Sequence, residues 1–124
     1  MPPPRISTAE WEVMNVLWAH APLSAAEVFQ QLPAGHGWKP KTVNTFLARL
    51  VQKRALRVTK RADLNTYAPL FKRQACVADE GASFLQRVFK GAAGPLVMHF
   101  CERADLSDVE ITELEALLKA KKKH

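Results

Sequence analysis

The chain has 124 residues, 48% of them hydrophobic and 24% charged, with a formal net charge of +6. That length suits one domain, or a small domain with an appended oligomerisation segment, and the composition is globular rather than disordered. A membrane-spanning helix is excluded because no apolar run approaches the ~20 residues needed, and the start MPPPRIST lacks the basic-then-apolar layout of a secretion signal.

Ser7 and Glu10, three apart, form a capping-box pair that opens a first helix running to His20. Ala9, Val13, Val16 and Leu17 make one apolar stripe, widened by Trp11, Met14 and Trp18, and Pro22 ends it. Ser24 and Glu27 repeat the start signal for a short second helix with Val28, Phe29 and Leu32 turned inward, stopped by Pro33. The composition of residues 33–37 is that of a turn. Pro40 then opens a third helix in which Val43, Phe46, Leu47, Leu50 and Val51 follow an i, i+3, i+4, i+7, i+8 rhythm, one face turned to a core. After Arg54-Ala55 the period changes to two: Leu56, Val58 and Lys60 alternate with Arg57, Thr59 and Arg61, and Tyr67 and Leu70 lie beyond a polar Ala62-Asp-Leu-Asn65 turn. This predicts a two-stranded hairpin. Three helices and a hairpin in this order are a winged helix-turn-helix.

From Lys72 the helical rhythm returns. Phe84, Leu85, Val88 and Phe89 form a stripe that stops at Gly91, and Leu96, Val97, Phe100 and Cys101 repeat the spacing after Gly94-Pro95. Ser107 and Glu110 cap a last helix with Ile111, Leu114, Leu117 and Leu118 at heptad-like spacing, ending in the bases of residues 119–124. Short amphipathic helices bury little on themselves, so these apolar positions are expected to form a dimer seam with a second copy. The expected architecture is therefore mostly α: a winged-helix DNA-binding domain over residues 1–71 and a helical dimerisation region over residues 72–124.

Charge is distributed unevenly between these parts. Residues 1–75 hold eleven Lys or Arg against four acids, while residues 76–124 hold seven against eight. Between Trp38 and Arg61 there are eight bases and no acid. A basic helix and hairpin without acids point to a polyanion, because any carboxylate there would face phosphates at close range. On the third helix Lys41, Thr42, Asn44, Thr45 and Arg49 are placed to meet base edges in a major groove: Asn44 suits adenine, Arg49 guanine or a phosphate, and threonine methyls suit thymine. Lys39, Lys53 and Arg54 flank the helix and fit phosphate contacts, and Arg57, Lys60 and Arg61 extend the charge along the wing. Trp38 reads as a packing anchor, like Trp11 and Trp18.

No catalytic constellation emerges, and no cofactor is expected. His20, His36, His99 and His124 are scattered, there is no phosphate-binding glycine loop, and His99 and Cys101, two apart on a helix, point to different sides and form no metal pair. Cys76 and Cys101 read as free thiols of a reducing cytoplasm. The alternative to a DNA-binding winged helix is a winged-helix module that binds an acidic protein surface.

The strings ISTAEWEVMNVLW, WKPKTVNTFLARLVQKRAL and TYAP, continued by SFLQRVFKGAAGPLVMHF and LSDVEITELEALL, resemble the penicillinase-repressor (BlaI/MecI) family of bacterial transcription regulators over nearly the whole chain. The resemblance implies a homodimer with its winged helix on an inverted-repeat operator, repression of an antibiotic-resistance operon, and Lys41, Thr42, Thr45 and Arg49 at the DNA. It also implies release through cleavage by a membrane-bound metalloprotease sensor, at a bond matching His99–Phe100; the best-known members have Asn where this chain has His99. The copper-responsive branch carries paired C-terminal cysteines that Cys76 and Cys101 alone do not make.

Overall fold

Serine–glutamate pairs spaced three apart set where helices begin. In the computed structural model, which describes residues 2–33 and 37–123, the chain runs α1 (Thr8–His20), β1 (Leu23–Ser24), α2 (Ala25–Gln31), α3 (Pro40–Gln52), β2 (Leu56–Arg61), β3 (Leu64–Pro69), α4 (Arg73–Phe89), α5 (Ala93–Arg103) and α6 (Asp108–Lys122). At α1 the Glu10 N–H donates to Ser7 Oγ at 3.2 Å and the Ser7 N–H donates to Glu10 Oε1 at 2.9 Å. Ser24 with Glu27 and Ser107 with Glu110 close the same reciprocal pair at α2 and α6. Each pair satisfies two backbone donors that a helix start leaves open. The N–H bonds hold Glu27 and Glu110 below the usual carboxylate range.

The molecule divides into two units, Met1–Ala82 and Ser83–His124, with the boundary inside α4. In the first, the rhythm of α3 is realised as burial: Val43, Leu47 and Leu50 are fully enclosed and meet Val13, Met14 and Leu17 of α1 and Val28 of α2. Removing one such side chain, Leu47→Ala for instance, costs about 2–5 kcal/mol because transfer and cavity terms add. Trp11 and Trp18 pack together with ring centroids 5.4 Å apart, and the Trp18 indole N–H donates to the Phe71 carbonyl at 2.9 Å. Arg73 Nε donates to Asn15 Oδ1 at 3.1 Å, fastening the start of α4 to α1.

The hairpin pairs Leu56 with Pro69 through to Arg61 with Leu64. Its turn is tighter than the composition suggests. Ala62 and Asp63 alone reverse the chain, with φ of 46° and 67°, a turn of the kind that matches strand twist, and Leu64 and Asn65 belong to β3. The sheet also has a third strand absent from the sequence reading. β1 pairs antiparallel with β3, Leu23 opposite Tyr67 and Ser24 opposite Thr66, giving the order β1-β3-β2. Two residues carry no periodicity, and Ser24 was legible only as a helix cap. Most of the turn at residues 33–37 lies outside the described residues.

The second unit is helical. A bond from the Gly91 N–H to the Leu85 carbonyl at 3.1 Å closes α4, with Lys90 and Gly91 at φ of 51° and 86°. Neither α5 nor α6 buries any residue, and the large apolar side chains of Val88, Val97, Phe100, Ile111, Leu117 and Leu118 are exposed. Among the described residues no helix is long and apolar enough to cross a membrane.

Candidate nucleic-acid interface

Helix α3 has one face sunk in the core, so its other residues fall into two flanks and a crest. At 100° per residue, Lys41, Thr45, Ala48 and Gln52 lie opposite the buried Val43–Leu47–Leu50 line; Thr42 and Arg49 lie on one flank and Asn44 on the other. Pro40 at the first turn needs no backbone partner, and Lys39 caps the helix without a side-chain hydrogen bond. Lys39, Lys41, Thr42, Thr45 and Arg49 come together around a depression of about 400 Å³, with Phe46 as its apolar part. Asn44 is exposed but outside that depression. Phe46, which periodicity assigns to the core, is half-buried and stands edge-on to Trp38 at 5.1 Å between centroids. The ring therefore serves both as packing and as lining. Only its place at the margin of the apolar arc, next to Trp38, hinted at this.

Thr45 Oγ1 donates to the Lys41 carbonyl at 3.1 Å. With its hydroxyl hydrogen turned back onto the helix, Thr45 offers a methyl group and oxygen lone pairs outward.

The helix leaves the core through a sharp turn. Arg54 takes the left-handed conformation, φ 67°, and the Ala55 N–H donates to the Leu50 carbonyl at 2.9 Å. This sends the chain directly into β2, whose first residue, Leu56, is buried while Arg57, Val58, Thr59, Lys60 and Arg61 are exposed. Strand alternation puts Arg57 and Arg61 on one face of the ribbon and Lys60 on the other.

Lys53 is placed differently from the other expected phosphate ligands. Its Nζ lies 2.6 Å from Glu10 Oε1 and donates to the Arg5 carbonyl at 3.1 Å. Glu10 is 2% exposed. Burial disfavours its charged form, but the Lys53 bond and charge and the Ser7 donors outweigh this and leave the carboxyl below its ordinary range. Elsewhere, burial and nearby Asp79 raise the Cys76 thiol, and Cys101 is a free, exposed thiol. No group of three or more His, Cys, Asp or Glu among the described residues is arranged to hold a metal.

Residues 6–120 match the family model described as penicillinase repressor. The chain belongs to the penicillinase-repressor family. Across 119 residues it is 37% identical to the penicillinase repressor of Bacillus licheniformis, covering 96% of this chain and 93% of that one. It is 34% identical to the methicillin resistance regulatory protein MecI of Staphylococcus aureus (strain N315) over 116 residues, 94% of each chain. Among solved structures, the DNA-binding domain of the repressor BlaI superposes with a TM-score of 0.53 at 38% identity, covering 60% of this chain and 93% of that one. The monomeric form of Bacillus licheniformis BlaI in complex with the blaP half-operator gives 0.52 at 38% identity, covering 59% of this chain and 89% of that one. This penicillinase-repressor homologue is a winged-helix transcriptional repressor and not an enzyme.

Proposed function

We propose that the chain binds an inverted-repeat DNA operator as a homodimer and so keeps polymerase from an overlapping promoter. The observation that carries this reading is the α3 surface: a cation-lined depression without acids, backed by an apolar face locked in the core and continued by the basic β2 strand. Lys41, Thr42, Thr45 and Arg49 meet the groove, with Asn44 on the far flank. Lys39, Arg54, Arg57, Lys60 and Arg61 neutralise phosphates. The relative solved on a half-operator supports the DNA partner.

The second unit serves pairing. Phe84, Leu85, Val88, Leu96, Val97, Phe100, Ile111, Leu114, Leu117 and Leu118 are exposed or half-buried in the single chain. Such a density of apolar side chains at a surface is what a partner copy covers. The protein is cytoplasmic, the regulated genes are a resistance operon, and release follows cleavage at His99–Phe100 by a membrane-bound metalloprotease sensor. Both residues are exposed on α5, and since that helix buries nothing of its own, unwinding it into an extended substrate sacrifices little packing.

The test is a fluorescence-anisotropy titration of the inverted repeat nearest the chain's own promoter against a scrambled duplex. A repressor keeps its preference as salt rises through physiological strength. Equal affinity for both duplexes overturns the reading.

A further inference from the structure

The ion pair between the end of the recognition helix and the start of α1 is a mechanical element of the DNA-binding surface. We infer that Lys53 is a positioning residue, which sets the axial and rotational placement of α3 by tying its C-terminus to Glu10 and Arg5, and is not itself a phosphate ligand. This inference rests on the DNA-binding reading above.

Val43, Leu47 and Leu50 are fully buried, but burial of an apolar stripe is non-directional and tolerates small slides and rotations of a helix on its neighbours. A groove-reading helix does not tolerate them, because hydrogen bonds to base edges weaken steeply with misalignment. Directional contacts at one end supply the missing constraint. Lys53 follows α3 immediately, with its own N–H donating to the Arg49 carbonyl at 2.9 Å, so its backbone moves with the helix. Its ammonium spans to Glu10 Oε1 at 2.6 Å and the Arg5 carbonyl at 3.1 Å. The same Glu10 oxygen accepts from the Ser7 N–H at 2.9 Å, which makes it a fixed point of the α1 capping box and not a mobile surface carboxylate. The end of α3, the start of α1 and the segment before α1 thus meet at the Lys53 ammonium.

Relative costs decide between this role and phosphate binding. The Lys53 side chain is 36% exposed, so its charge is within reach of solvent, but Glu10 is 2% exposed. Swinging Lys53 out to a phosphate leaves a buried carboxylate without its counter-charge, which costs far more than one exposed ion contact returns.

The two roles predict opposite signs for Glu10→Gln. Glutamine still accepts from the Ser7 N–H, so the capping box and the fold persist. If Lys53 is a phosphate ligand that Glu10 merely competes for, removing that negative charge frees it and operator binding tightens. If Lys53 positions α3, operator affinity falls, by about fivefold. Lys53→Met adds a second comparison. As a positioning residue it lowers affinity while the slope of log K against log salt stays unchanged; as a ligand it lowers the slope by about 0.9. Lys53→Arg, which restores the ion pair, recovers the affinity. Circular dichroism melts confirm that each variant is folded, and should Lys53→Met fail to fold, the sign of the Glu10→Gln effect still decides. Tighter binding by Glu10→Gln, or a reduced slope for Lys53→Met, overturns the inference. A wild-type chain that shows no operator preference overturns it too, by removing the DNA-binding reading itself, and is recognised before any substitution is made.

Discussion

The wing offers the most quantitative check on the DNA reading. Arg57 and Arg61 lie on the same face of β2 with exposed Thr59 between them, and neither takes part in the core. Replacing both with glutamine removes two charges from that face and leaves the Leu56 anchor and the β2–β3 register intact. Each phosphate neutralised by a side chain contributes about 0.9 to the slope of log K against log salt, so the double substitution flattens the slope by about 1.8. Between 50 and 200 mM salt, a fourfold change, the wild type then loses about twelvefold more affinity than the variant does. Anisotropy on a labelled operator duplex at four or five salt concentrations measures both slopes. Preference for operator over scrambled duplex stays nearly unchanged, since phosphates carry no sequence information. Parallel salt lines for the two proteins would refute the placement of this strand along the DNA backbone, whatever the absolute affinities.

Further outcomes follow from single positions. Arg54 holds a left-handed backbone that disfavours any side chain; Arg54→Gly should raise stability by about 1 kcal/mol in urea melts while flattening the salt slope by about 0.9. With the Thr45 hydroxyl hydrogen held by the Lys41 carbonyl, the group it leaves for an apolar contact with thymine is the methyl. Thr45→Ala should lower operator discrimination by about 0.8 kcal/mol, roughly fourfold, and Thr45→Val should spare it in a competition assay. Glu10 has a folded-state pKa below its unfolded one, so its share of stability is present above about pH 4.3 and lost as pH falls through the folded value. The urea midpoint of the wild type should therefore drop between pH 5 and 3 more steeply than that of Glu10→Gln. Under the proposed pairing, Leu114→Asp should shift the sedimenting species from dimer to monomer, because it sets a charge among the apolar side chains of α6.

Much of the fold was legible because its signals are local. Capping boxes at Ser7, Ser24 and Ser107 and the α3 stripe are read within four residues, and they appear where the spacing puts them. What the sequence hid depends on long-range pairing. β1 is a strand only because Leu23 and Ser24 meet Tyr67 and Thr66, more than forty positions on. Lys53 looks like one more base in a basic run until its partner, forty-three residues earlier, is known. Asn44 differs from Thr42 only by rotation about the helix, which a list of polar positions does not resolve. The wing turn was placed correctly but read too long, since polar residues mark a loop without revealing which of them reverse the chain.

The division of charge and the division of burial coincide, and under the proposed function this has a physical consequence. The first unit owns the enclosed core and the excess of positive charge; the second buries none of its described residues and is nearly balanced in charge. A rigid reader suits the first, because groove contacts need fixed geometry. A second unit whose apolar side chains are satisfied only by a partner copy makes pairing reversible, and each half-site is contacted by one reader. Once one reader is bound, the other searches at an effective concentration in the millimolar range, so affinity for the full operator exceeds that for a half-site by orders of magnitude. Breaking the pair forfeits that gain without altering any residue at the DNA. The exposed apolar helices of the second unit are thus the place where a signal of modest energy, such as a single cut in α5, is converted into a large change in occupancy.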